Sequence, residues 1–150
     1  MLYVHPEIYD AVWIEGTEYK VDHHLIFALI MQESGFRPHA VGDNNRSFGL
    51  MQLNLDGAGG GWSVESLLDV NLNVVLGVAT LRRCLNAFPD DVRKGIAAYR
   101  QGIQGVINDG PEVSESYVDN ILALQTRYKQ YGVIRYPPTR SWAYEGDGPF

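Results

Sequence analysis

Apolar positions along this chain recur mostly at helical spacing, interrupted by glycine-rich stretches with no regular period. Residues 6 to 15 predict a first helix, with Pro6 at an early position where its missing N–H costs nothing. Asp22 offers an N-cap to a second helix, in which Leu25, Ile26, Phe27, Ala28, Leu29, Ile30 and Met31 make every face apolar. A helix with no polar side is a central buried one. Gly35 supplies its stop and Pro38 prevents early resumption. From Arg37 to Trp62 the period is lost: residues 42 to 45 read as a turn, and Gly57, Gly59, Gly60 and Gly61 as a loose loop. Between them, Phe48 to Leu55 predicts a short helix capped by Ser47. A longer helix from about Asn71 to Ala87 carries Leu72, Val75, Leu76 and Ala79 at helical spacing and ends at Pro89. Asp90 or Asp91 caps the next, which runs to Gln101 and stops at Gly102. The last begins near Ser114 or Ser116, aligns Val118, Ile121, Leu122, Gln125 and Tyr128 on one stripe, and ends at Gly132. Val133 to Phe150 reads as extended chain strapped over the surface. There is no internal repeat. The expectation is one mainly α domain, with its core over about residues 20–132 and a short irregular or β-containing segment around residues 36–62.

Composition narrows this picture. At 150 residues and 45% hydrophobic, the chain is long enough to fold around one core without covalent staples. Its one cysteine, Cys84, excludes an intrachain disulfide and a thiol cluster for a metal; set between Leu81 and Leu85, it reads as a small buried hydrophobe. The formal charge of −6 opposes nucleic-acid binding, which needs a surplus of lysine and arginine. No apolar run reaches the ~18 residues of a membrane span, so membrane insertion is not expected. His5, His23, His24 and His39 show no metal-ligand spacing, and adjacent His23 and His24 would point about 100° apart on a helix. Neither a metal nor another cofactor is expected, and a monomer is.

Candidate chemistry begins with Glu33, an acid at the C-terminal end of the most apolar helix. Partial desolvation and the negative end of the helix dipole both disfavour its charged form. A carboxyl kept protonated near neutral pH is what a general acid needs. Taken alone, Glu33 is as compatible with a solvated last-turn glutamate.

Four stretches change that reading. They are Glu33-Ser34-Gly35-Phe36, Phe48-Gly49-Leu50-Met51-Gln52-Leu53, Gly95-Ile96-Ala97-Ala98-Tyr99-Arg100-Gln101-Gly102, and Tyr117-Val118 with Tyr128 to Gly132. In order and spacing, from about residue 20 to 132, they resemble the lysozyme-like lytic transglycosylases, and within that superfamily most of all the goose-type lysozymes. The resemblance implies a lysozyme-like helical fold and a muramidase that cuts the β-1,4 bond between N-acetylmuramic acid and N-acetylglucosamine in peptidoglycan. Glu33 would be the catalytic acid, with Ser34, Met51, Gln52, Asn54, Tyr99, Arg100 and Tyr117 contacting substrate. Phe48 and Leu50 are left as packing. The partner would be a glycan strand, and an acidic chain must hold an anionic wall by its cleft rather than by long-range attraction. A catalytically silent wall-binding module on the same fold is the alternative.

The product is open at this level. Lytic transglycosylases use one glutamate as acid and then base, and the muramyl 6-hydroxyl closes a 1,6-anhydro ring. Goose-type lysozymes deliver water positioned by aspartates. Asp43 stands where the first such aspartate falls, but Asn54 occupies the place of the second, and an amide cannot take a proton from water. Asp56 is a weaker substitute two residues on. Arg100 departs from the asparagine usual in the family and offers a cation to a carboxylate such as a peptide stem carries. The opening Met-Leu-Tyr-Val-His-Pro-Glu lacks the basic and apolar regions of a signal peptide. The sequence therefore suggests action in the periplasm or cell wall after release or delivery, as by an endolysin, a virion-carried enzyme or a secreted effector.

Overall fold

In the computed structural model, which describes residues 1–136, the second helix is the axis of the molecule. β1 (Leu2–Val4) leads into α1 (Pro6–Tyr19), followed by α2 (His23–Ser34), in which Leu25 to Ile30 are at most 5% exposed. The Asp22 carboxylate caps α2 by accepting the His24 N–H at 2.7 Å, and Gly35, left-handed at φ 61°, closes it with an N–H donated to Met31 O. α1 outruns the expected end near residue 15: Gly16 lies buried against the His23 ring, and Lys20 closes the helix in a left-handed conformation. α7 (Glu115–Tyr131) packs along α2, and α4 (Val70–Ala87) along α1; α5 (Val92–Gln101) joins α4 to α7. Short helices α3 (Val64–Leu67) and α6 (Ile103–Asp109) and a 3-10 turn at Pro111–Ser114 complete the helical layer. α6 was not anticipated, because Gly102 reads as a stop; it ends α5 and begins α6 in the same left-handed step.

The expected helix at Phe48–Leu55 is not formed. A three-stranded antiparallel sheet of β2 (Val41–Gly42), β3 (Ser47–Phe48) and β4 (Leu53–Asn54) takes its place, pairing Val41 with Phe48 and Phe48 with Leu53. Gly49 at φ 82° and Gln52 at φ 51° bring left-handed residues into the segment, which a right-handed helix cannot contain. The irregular or β-containing region expected around 36–62 is thus the sheet and its loops. β5 (Val133–Arg135) pairs parallel with β1, placing Leu2 beside Val133, and Arg135 grips Asp10 through two hydrogen bonds of 2.9 and 3.1 Å. The expected tail begins as this strand; residues 137–150 of it lie outside the described residues.

The buried face of α4 also differs from the expected one. It carries Asn73, Val74, Gly77, Val78, Leu81 and Cys84, one step from the Leu72, Val75, Leu76 and Ala79 stripe. Met51 is fully buried against it, with its Sδ where a Cβ on Gly77 would come to 2.3 Å. Gly77→Ala therefore forces Met51 and its turn outward. Overpacking of this kind should destabilise the domain by about 1–3 kcal/mol in urea titrations, and an unchanged midpoint would show that Met51 has room to move.

Candidate active site

Three elements converge on the Glu33 carboxyl. α2 presents it one turn beyond its buried segment, α7 supplies Tyr117, and α5 supplies Tyr99 and Arg100. The Tyr117 hydroxyl donates to Glu33 Oε2 at 3.3 Å. Burial raises the Glu33 pKa from 4.5 to about 7; the Tyr117 hydrogen bond and the Arg100 charge pull it down, and the Asp43 charge pushes it up. Desolvation wins because only one donor and one cation face the carboxyl. The Tyr117 and Tyr99 phenols are held well above 10 by burial first and then by the Glu33 charge, so both remain hydrogen-bond donors. Tyr99 donates to Met51 O at 2.7 Å and fixes the strand turn against α5. Arg100 lies over the Tyr117 ring, 5.1 Å from its centroid, a cation–π placement that orients the guanidinium.

Asp43 is in the turn between β2 and β3, where Asp43, Asn44 and Asn45 are all left-handed, and its charge is felt at Glu33. A relay holds it: Asn54 Nδ2 donates to Ser47 Oγ at 3.0 Å, and Ser47 donates to Asp43 Oδ2 at 2.6 Å. The other side of the Asn54 amide accepts Asp56 N–H at 2.8 Å. Asn54 therefore spends both ends of its amide on positioning. Asp56 turns outward to an ion pair with Arg46.

Two expected substrate contacts are corrected. Ser34 is 2% exposed and bonds back to Ile30 O at 3.1 Å, and Met51 is fully buried in the core. Neither has surface to offer a sugar. Gln52 is half-buried, and its Nε2 donates to Ala40 O and Gly49 O at 3.1 and 3.0 Å, so that amide end ties the turn. Gln52, Asn54, Tyr99 and Arg100 nevertheless line a common cavity of roughly 500 Å³. A second, of roughly 390 Å³, is lined by Gln32, Arg100, Ser114 and Tyr117. Arg100 belongs to both walls. Phe48 and Leu50 pack in the core, as does Cys84. Among the described residues, no three His, Cys, Asp or Glu side chains gather as a metal site would require, and no helix is long and apolar enough to cross a membrane.

Three residues of the site escaped sequence reading. Ser47 had been taken for a helix cap, Asn73 is an amide on an apolar stripe, and Arg83 lines the larger cavity from α4. Only Asn73 left a signal, as a polar residue at buried helical spacing.

The family model described as Transglycosylase SLT domain matches residues 11–122. Among solved structures, an inactive mutant of the lytic transglycosylase Slt from Pseudomonas aeruginosa superposes with a TM-score of 0.69 at 23% identity, over 81% of this chain and 24% of that one. The 70 kDa soluble lytic transglycosylase SLT70 from Escherichia coli gives a TM-score of 0.69 at 22% identity, over 91% of this chain and 26% of that one. The chain thus spans about a quarter of each, and the likeness is one of fold.

Proposed function

We propose that this chain, which belongs to the Transglycosylase SLT domain family, cuts the β-1,4 bond between N-acetylmuramic acid and N-acetylglucosamine in peptidoglycan by lytic transglycosylation. The observation that carries the reading is the Glu33 carboxyl, desolvated enough to keep its proton up to about pH 7 and hydrogen-bonded by Tyr117. Glu33 donates that proton to the glycosidic oxygen as the bond to the muramyl C1 breaks. Its carboxylate, with Arg100 close enough to favour the charge, then takes the proton of the muramyl 6-hydroxyl as that oxygen closes on C1. One residue serves as acid and base, so no second carboxylate is needed. The substrate lies in the wall, and we place the action there or in the periplasm.

Hydrolysis is the second reading, favoured by one observation: Asp43 is held rigidly by Ser47 and senses Glu33, as a water-positioning carboxylate would. Against it stands Asn54, whose amide is already spent. Mass spectrometry of digested peptidoglycan separates the two. Transglycosylation predicts muramyl ends lighter by one water, with Asp43→Asn leaving their yield essentially unchanged. Reducing ends whose yield falls in Asp43→Asn would replace the reading with hydrolysis. A silent module would lyse nothing, and a turbidity assay on purified walls detects that directly.

A further inference from the structure

The larger cavity beside the site carries charge that the mechanism does not use. Among the described residues, Arg46, Arg93, Arg135 and Lys129 each pair with an aspartate. Arg83 and Arg100, both in the wall of the 500 Å³ cavity, come within ion-pair distance of no carboxylate. The chain has 18 acidic residues against 12 lysines and arginines, so leaving two arginines unpaired in one concave wall is not for want of partners. Asp56, the one acid in that wall, is already claimed by Arg46. The cations are also placed. Arg100 is stacked on Tyr117, and Arg83 lies close enough to Cys84, in the same wall, that its charge opposes the burial which raises that thiol. Between them, Gln101 spends its Nε2 on Gly110 O at 3.0 Å, and its Oε1 is buried with no donor. A buried acceptor without a partner is uncommon and calls for one. Two forked cations and an idle amide acceptor suit a group that brings a carboxylate and an N–H together.

We propose that this cavity is a carboxylate-binding subsite, in which Arg83 and Arg100 hold an acidic group borne by the muramyl residue of the strand. The group is either the muramyl lactyl carboxylate, free where the peptide has been removed, or a carboxylate of an attached stem peptide. Gln101 Oε1 would accept an amide N–H of the same substituent. The inference rests on the glycan-cleaving reading above and extends it to what the strand must carry.

Binding is measured in Glu33→Gln protein, which leaves strands intact, with and without Arg83→Gln. Three kinds of strand are titrated by calorimetry: peptide-bearing, enzymatically stripped to the free lactyl carboxylate, and each of these with every carboxyl capped as its methylamide. Arg83→Gln should raise Kd by about three- to fivefold for the strand that supplies the ligand and leave the capped strands unchanged. Arg83→Lys, which keeps the charge, should recover most of the affinity. A loss confined to peptide-bearing strands identifies the stem carboxylate; one confined to stripped strands identifies the lactyl group. An equal loss on capped strands, or no loss on any, overturns the subsite while leaving glycan binding in place. Failure of Glu33→Gln protein to bind any strand would instead remove the underlying reading.

Discussion

Replacing Glu33 by glutamine should lower wall lysis by at least about a hundredfold, the usual cost of losing a general acid, while making the folded domain more stable above neutral pH. Glutamine keeps the shape and can still accept the Tyr117 hydroxyl, so the site is preserved without a transferable proton. The stability half follows from linkage. The Glu33 carboxyl titrates near 4.5 when unfolded and at about 7 when folded. The folded state thus holds the proton more tightly, and its advantage is complete below pH 4.5. It is lost as the pH rises through about 7, above which a buried charge is carried at a cost. Glutamine never ionises and escapes that cost. Parent and variant should unfold alike at pH 4, and the variant should lead at pH 8 by about 1–3 kcal/mol, the lower figure allowing for solvent at the carboxyl. The same carboxyl sets the rate: kcat/KM of the parent should fall as pH rises through about 7. Undiminished lysis by the variant would remove Glu33 as the acid, and a gain equal at both pH values would detach the stability effect from its charge.

The sequence reading located Glu33 and its tyrosines for reasons that are local. A run apolar on every face admits only a central helix, and an acid at its end is conspicuous against that background. The α7 stripe was legible for the same cause, since Val118, Ile121 and Tyr128 are apolar and buried. Where the period was carried by residues that do not look apolar, it failed. In α4 the buried face includes Asn73 and Gly77, neither of which registers as hydrophobic, so the eye settles on the flank one residue away. The Phe48–Leu55 segment misled through Gln52, a good helix former held left-handed by two bonds from its own side chain to Ala40 O and Gly49 O. Met51 and Ser34 were assigned to substrate by resemblance, and nothing in their neighbours in sequence reveals that α4 closes over one and that the other turns back on its own helix. Tertiary contact decided each of these cases.

The second large effect is expected at Asn73, far from any proton transfer. Its amide is fully buried and makes three bonds to backbone: Oδ1 accepts Met51 N–H at 2.8 Å, and Nδ2 donates to Phe48 O and Leu67 O at 2.9 and 2.7 Å. One side chain thereby satisfies a strand end, a turn and the end of α3. Asn73→Leu fills similar volume and leaves one N–H and two carbonyls buried without partners. At about 1–3 kcal/mol for each stranded group, and less than the full sum because water will reach some of them, a loss of about 3–5 kcal/mol is expected in denaturant titrations. That is a large share of the roughly 5–15 kcal/mol that holds an ordinary domain together. Gly49 is bound to the same hub, since a Cβ there would sit 2.2 Å from Asn73 Nδ2 and 2.7 Å from Leu67 O, at a φ of 82°. Gly49→Ala is therefore destabilising too, but part of its cost is a clash with the very amide that Asn73→Ala removes. The double variant should lose less than the two single losses combined. Strict additivity would mean that strain at Gly49 and its contact with Leu67 O, rather than the Asn73 amide, fix the turn on which Gln52 and the acceptor of Tyr99 depend.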